Sequence, residues 1–405
     1  MLITAREAVR RLGVKPATLY AYVSRGLVRS AAVAGARERR YHAEDVERLR
    51  RAWRTGRRGG APPAPFDVYA PVLDSALCLV EAGRLYYRGI DACGLAEHAS
   101  LETVARLLWG VEPARDPFAD GRRSPARTTW PRALSPASAP IERARAALVA
   151  LAAEDVAAVD TSPAAVTRTG TRLVAALAGA VTGRPPRGAP IHAHLAQAWR
   201  LDRQGADLVR RCLVLVADHE LNASTYVARC VASTGATPYA VVIAALSALS
   251  GPRHGGATGR AEAMIRALAA ERDVDAAIAE RLRRAEDTPG FGHPLYPDGD
   301  PRARAIIERL HVGSARRRGS AVARIEPALR RVVARPPNVD FALALAAVEL
   351  ALPPGAALGL FLIGRSVGWI GHAIEQYATG TLIRPRARYV GVLPVETGGE
   401  GGVRA

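Results

Sequence analysis

Asn338-Val339-Asp340-Phe341 opens the run NVDFALALAAVELALPPGAALGLFLI, residues 338–363, whose reading decides the fold. From Phe341 to Ile363 it is the longest apolar stretch in the chain. A membrane-spanning helix needs about 20 unbroken apolar residues. Glu349 and the Pro353-Pro354 pair interrupt this run, and each half is too short to span a bilayer. The expectation is two buried helices joined at the prolines, not a membrane segment. The stretches Ile141–Val159 and Val166–Val181 are rich in Ala, Leu and Arg and show no period-two alternation, so they also predict helices. A few β-branched residues around Asp67–Arg88 allow short strands, and the Pro/Arg/Ser-rich segment 114–140 reads as a surface loop. The body is therefore expected to be all-α apart from minor strands.

The chain has 405 residues, enough for two to three domains at about 150 residues each. Hydrophobic residues make up 49%, which excludes a disordered chain. Its four cysteines, Cys78, Cys93, Cys212 and Cys230, form no CxxC pair. A disulfide scaffold, a zinc ribbon and a thioredoxin-type site are disfavoured, and a reducing setting fits best. The start, MLITAREAVRRLG, carries no apolar signal-peptide core. The expected location is cytoplasmic.

Net charge is +18, but all basic residues except Lys15 are arginine, so a general preference for arginine contributes to the total. Distribution is more informative. Residues 1–60 alone carry a net +10, in 15 basic and 5 acidic side chains. Thr4 and Glu7 form a capping box that opens a helix over Ala5–Leu12, and Gly13 ends it. Pro16 begins a second helix running to about Ser24. A loop with Arg37, Arg39 and Arg40 follows, then a third helix from about Ala43 to Trp53. Two short helices and a tight turn make a DNA-reading unit, with Thr18 and Tyr20 on or near the exposed side of the second helix. The arginine loop, Arg39 and Arg40 included, would act as a wing on phosphates. The other reading is a small helical module that packs on a protein. The stretches TAREAVRRLGV, KPATLYAYVSRGLV and RRYHAEDVERL resemble the winged helix-turn-helix of MerR-like and excisionase-like proteins. GGAPPAPF, residues 59–66, reads as a stiff linker after this domain, 1–58.

Of nine histidines, His42, His98, His192, His194 and His311 lie in ordinary surroundings. Others do not. Asp218-His219-Glu220 borders an apolar run, and His254 and His293 sit in the glycine-rich turns GPRHGGA and GFGHPLY. Glycines allow close backbone approach to a ligand. Asp340 stands alone at the mouth of an apolar helix, where desolvation would raise its pKa, a useful property in a base. Taken singly, a His beside Gly is a turn residue and Asp340 is an N-cap. Together, two glycine-set histidines, one acid and several arginines are the equipment for enolising one substrate and attacking a dianionic acceptor.

The motifs DHELNAST, GPRHGGA, GFGHPLYPDGDPRA, NVDF, GRSVGWIGHAIEQ and LIRPRARYVG, in this order and spacing, resemble the citrate synthase family over most of residues 67–395. The resemblance implies a helical citrate synthase fold, with a large domain over 67–221 and 336–405 and an inserted small domain over 222–335. It implies a homodimer with a shared active site, no metal and no tightly bound cofactor. Acetyl-CoA and oxaloacetate would be the substrates, and citrate and CoA the products after hydrolysis of citryl-CoA. By resemblance Asp340 is the base, His254 the donor to the thioester oxygen and His293 the group that polarises and protonates the oxaloacetate carbonyl. His219, Arg302 and Arg365 would hold oxaloacetate. Arg384, with Arg386 as the alternative, would reach the partner subunit's site. One departure concerns CoA: Pro294 and Pro297 stand where many members carry a basic residue, so Arg253, Arg304 or Arg316–Arg318 would have to meet its phosphates. Two other functions fit this sequence: 2-methylcitrate synthesis from propionyl-CoA, and a DNA-binding regulator whose body senses a metabolite.

Overall fold

The computed structural model describes residues 2–14, 19, 22–23, 28–32, 39–47, 73–112, 117–118, 138–186, 188–314, 320–385 and 391. It divides into two compact units, Met1–Val72 and Leu73–Ala405.

In the first unit, β1 (Leu2–Thr4), β2 (Ser30–Ala32) and β3 (Arg39–His42) form an antiparallel sheet in the order β1-β3-β2. Helix α1 (Ala5–Leu12) opens at Thr4, whose Oγ1 accepts from the Glu7 amide, while the Glu7 carboxylate pairs with Arg10 and Arg11. Gly13 ends it in the left-handed conformation. Ala8, Leu12, Leu19, Val28, Tyr41 and Val46 make a small separate core. Residues 43–47 are helical. Arg39 and Arg40 therefore sit on a strand, not on the expected loop: Tyr41 between them and the helix is buried, which fixes the period-two register of β3. Thr18, Tyr20, the linker 59–66 and most of 114–140 lie outside the described residues.

The second unit begins with a three-stranded meander, β4 (Cys78–Glu81), β5 (Arg84–Tyr87) and β6 (Ile90–Asp91). Helices follow: α2 (Ala92–His98), α3 (Leu101–Trp109), α4 (Pro140–Glu154), α5 (Pro163–Thr182), α6 (Ile191–Ala198), α7 (Arg203–Leu215), α8 (Ala223–Ala232), α9 (Pro238–Leu249), α10 (Gly256–Ala270), α11 (Val274–Arg283), α12 (Pro301–Ser314), α13 (Ala321–Val332), α14 (Val339–Glu349) and α15 (Ala356–Thr379). The expected helix over 141–159 is shorter. It stops at Glu154, and a 3-10 turn covers Val156–Val159. The cause is Asp155, whose buried carboxylate leaves the helix to accept from Arg172 and Tyr239.

The 338–363 run folds as expected into α14 and α15, separated at the prolines. Helix α15 is the one, among the described residues, long and apolar enough to cross a membrane, yet 89% of its apolar window is buried within the protein. It is the central post. Helices α3, α5, α7, α8, α9 and α14 all pack on it. Gly359, Gly364 and Gly368 permit this close approach: a Cβ at Gly368 would lie 2.4 Å from the Ala217 carbonyl oxygen. The buried carboxylate of Glu262 accepts from the amides of Gly355 and Ala357, holding the first turn of α15. Helices α10 to α14 pack mainly on one another, whereas α8 and α9 pack on each other and on α15.

Candidate active site

Asn338 caps α14 by accepting from the amides of Asp340 and Phe341. The Asp340 side chain is thereby released from the capping duty that the sequence allowed it. The segment before Asn338 pairs with the loop carrying His293. Gly292 N donates to Pro336 O at 2.7 Å, and Asn338 N to Gly290 O at 2.9 Å. Asn338 Nδ2 donates to Gly292 O. Gly290, at φ 96°, makes this pairing feasible, since a Cβ there would lie 2.8 Å from that of Phe341. Two motifs separated by about 45 residues are thus clamped into one strand-like crossing.

A cavity of about 420 Å³ opens at this crossing. His219, His254, His293, Arg302, Asp340 and Arg365 all line it, so six of the seven candidate residues in the body converge. Arg384 is exposed and does not line the cavity of its own chain. Arg386 and the Arg316–Arg318 run lie outside the described residues, and Arg304 is not on the wall. Exposed Arg253, Arg260 and Arg335 are on the wall. Among the described residues, no group of three or more His, Cys, Asp or Glu side chains is arranged to hold a metal ion.

The three histidines are held neutral. Burial, reinforced by Arg365, lowers His254 to about 4, and burial with Arg302 does the same for His293. Burial and the two arginines also push His219 well below the usual histidine range. Each ring has a fixed partner. Leu295 N donates to His293 Nδ1 at 3.2 Å, so the proton of the neutral ring resides on Nε2. His254 Nε2 lies 2.8 Å from Ser224 Oγ, which also accepts from Trp369 Nε1. His219 Nε2 lies 2.9 Å from Tyr296 Oη. Burial raises the Tyr296 phenol well above its ordinary value, so the hydroxyl keeps its proton.

Asp340 is the exception among the ionisable groups. Burial raises it to about 6, against the opposing effect of a hydrogen bond from Thr258 Oγ1 to its Oδ1. The arginines differ from each other. Arg302 is buried and forked onto Asp300, through Nε at 2.9 Å and Nη2 at 2.8 Å. Asp300 also accepts from Val339 N at the start of α14. Arg365 is buried, donates through Nε to Val216 O, and leaves Nη2 with no protein partner. An unpartnered buried guanidinium donor facing a cavity is the signature of an anion site.

Ser224, Thr258, Tyr296, Asp300 and Trp369 carry these contacts but were not singled out from sequence. All but Thr258 lie within the motifs quoted above. His372, fully buried behind the wall, contacts Asp218 Oδ2 at 3.1 Å.

Such an arrangement can bind a small dianion beside an elevated-pKa carboxylate, with neutral imidazole donors around both. Comparison with known proteins agrees. Residues 69–386 match the family model "Citrate synthase, C-terminal domain", and residues 3–54 match that of the MerR HTH family regulatory proteins. Citrate synthase 2 of Bacillus subtilis is 38% identical over 186 residues, 45% of this chain and 50% of that one. The chain thus spans about half the length of the curated relatives it matches in this way. The citrate synthase of Haloferax volcanii is 31% identical over 360 residues, covering 79% of this chain and 93% of the relative. A 2-methylcitrate synthase of Shewanella oneidensis is 36% identical over 45% of this chain and 50% of that one. Among solved structures, citrate synthase from Thermotoga maritima superimposes with a TM-score of 0.65 at 26% identity, over 80% of this chain and 95% of that one. With the family model spanning most of its length and the fold to match, the chain belongs to the citrate synthase family.

Proposed function

We propose that the body condenses acetyl-CoA with oxaloacetate and hydrolyses the resulting citryl-CoA to citrate and CoA. The observation that carries this reading is the convergence of Asp340, His254, His293, His219, Arg302 and Arg365 on one cavity. The methyl hydrogens of a thioester are very weak acids, so a base and an oxyanion donor must act together. Asp340 takes the proton. The enolate oxygen accepts a hydrogen bond from the neutral imidazole of His254. The enolate carbon attacks the carbonyl carbon of oxaloacetate, and that oxygen receives the proton of His293 Nε2. Arg365 and Arg302 meet the two carboxylates, with His219 between them. Arg302 has only Nη1 uncommitted among the described contacts, whereas Arg365 offers both terminal nitrogens, so Arg365 carries more of the dianion. Water then attacks the thioester carbon, one of its protons returning to His293 Nε2, and the CoA thiolate leaves with the proton that Asp340 held.

CoA enters as substrate and leaves as product. Its phosphates would lie along Arg253, Arg260 and Arg335 at the rim. The inserted small domain, read as 222–335, moves over the cavity in this scheme. The mutual packing of α10 to α14 supports a moving unit that runs from near Gly256 through α14, so it both begins and ends later than the sequence boundaries. A homodimer would bring Arg384 of one protomer to the cavity of the other. Four free cysteines suit a cytoplasmic, reducing setting.

Thiol release from acetyl-CoA by the full chain, with and without oxaloacetate, tests the reading. Oxaloacetate-dependent release is expected. No release from either acetyl-CoA or propionyl-CoA would overturn it. Faster turnover of propionyl-CoA would favour 2-methylcitrate synthesis, which the match to a 2-methylcitrate synthase keeps in view.

For the N-terminal unit we propose double-stranded DNA as the partner, gripped in part by Arg39 and Arg40 on the strand β3, with Thr18 and Tyr20 as the sequence's candidates for further contacts. The match to MerR regulators and the β2–β3 wing support this. A mobility-shift assay at low salt is expected to show salt-dependent binding, and no shift would remove the proposal.

A further inference from the structure

Thr258 lies in the first turn of α10, four residues after His254, and is fully buried. Its hydroxyl donates to Oδ1 of Asp340, in the first turn of α14. Helices α10 and α14 pack closely, so this contact joins the segment that carries one imidazole donor to the segment that carries the carboxylate. No hydrogen bond to Oδ2 occurs among the described residues.

We propose that Thr258 is a positioning residue for proton abstraction: by holding Oδ1 of Asp340 it leaves Oδ2 as the oxygen that takes the substrate's proton, and it fixes the carboxylate relative to His254. The inference rests on the citrate synthase reading of this cavity and goes beyond it, because the hydroxyl also tunes when the base is ionised. A hydrogen bond to the charged form stabilises that form. Burial is the largest influence driving Asp340 up, and Thr258 is the largest one opposing it. The other charged or titratable groups facing this carboxylate are Arg302 and Asp300 at the start of α12, Arg365 on α15, and His254 and His293 across the cavity. The arginines favour ionisation and Asp300 opposes it. The two histidines are neutral near pH 7. None of these groups changes in a Thr258→Val variant, which keeps the side-chain shape.

The test is the pH dependence of kcat/KM in the full chain and in T258V and T258S. In T258V the acidic limb is expected to move to higher pH by about one unit or more, the effect of losing a hydrogen bond to a charged group. Its kcat at pH 7 should fall about tenfold or more. T258S should return both to the parent values. An activity loss in T258V that is equal at every pH, with no movement of the limb, would reduce Thr258 to packing and overturn the inference. So would a T258V enzyme indistinguishable from the parent. A second measurement separates this inference from the reading on which it rests. Infrared titration of the chain labelled with 13C at aspartate carboxyls, with D340N subtracted, follows Asp340 without turnover. If the parent releases no thiol, the citrate synthase reading fails, and T258V must still titrate higher than the parent for the Thr258 inference to stand.

Discussion

The arginines of the N-terminal unit and those of the body obey different physics. Arg10 and Arg29 stand largely in water, with 77% and 59% of their side chains exposed; Arg10 pairs with Glu7, and Arg29 with exposed Glu44 and with buried Asp45. Arg229, Arg302 and Arg365 are almost wholly buried. An exposed ion pair contributes little to stability, whereas a buried guanidinium must be compensated or it destabilises the fold. Arg229 is compensated by Glu375 and Gln376, and Arg302 by Asp300. Arg365 is compensated only in part. One feature of sequence, an excess of arginine, therefore becomes a solvated surface in one unit and a set of committed or waiting donors in the other.

The largest expected effect is at the carboxylate between these buried cations. Asp340→Asn should lower kcat by about 10²- to 10⁴-fold, the usual contribution of a positioned base. It should also raise stability at pH 8. Asp340 has a folded pKa near 6, above its unfolded value, so its contribution is fully present below about pH 4 and is lost as pH rises through 6. The stability gain of D340N, read as Tm, should accordingly shrink toward pH 4. In the parent, kcat/KM should fall on the acid side with a pKa near 6, with no separate histidine limb between 5 and 8.

Next come the two buried cavity arginines, which sharpen the contrast directly. Arg302→Met should destabilise the chain by about 3–5 kcal/mol in denaturant unfolding, because Asp300 is left buried and unpaired. Arg365→Met should cost much less stability, since no carboxylate is hydrogen-bonded to it, yet raise the KM for oxaloacetate by about 10²-fold, the loss of a charge-assisted pair. Equal stability losses in both variants would break the distinction between a committed and a waiting guanidinium.

A smaller effect is expected for Tyr296→Phe. Losing one neutral hydrogen bond to His219 should raise the oxaloacetate KM about fivefold, with kcat less affected. The smallest effect on turnover belongs to the other unit. Arg39→Ala with Arg40→Ala should leave kcat/KM unchanged and reduce the salt slope of DNA binding by about one per lost phosphate contact.

The helical body and its central break were legible because Pro353-Pro354 and the apolar run act locally. That six side chains would share one site was implied by the family resemblance that their motifs carry. What sequence left hidden was the division of labour between adjacent residues. Nothing in NVDF says whether Asn338 or Asp340 caps the helix, since both residue types do so; only the backbone geometry gives the cap to Asn338. Arg39 and Arg40 read as loop because a four-residue strand with one buried tyrosine is too short for a clear alternation. The end of α4 at Glu154 depended on contacts of Asp155 with Arg172 and Tyr239, both distant in sequence. The roles of Tyr296 and Thr258 likewise required knowing which helices meet.

The capping of α14 by Asn338 has a practical consequence. Because the helix start and the elevated carboxylate are served by different side chains, the carboxylate can be neutralised without unravelling the wall. A D340N chain should therefore be a nearly inert receptor of native shape. Calorimetry on it could record the order and heat of ligand uptake, with turnover slowed enough to leave what is being weighed largely intact.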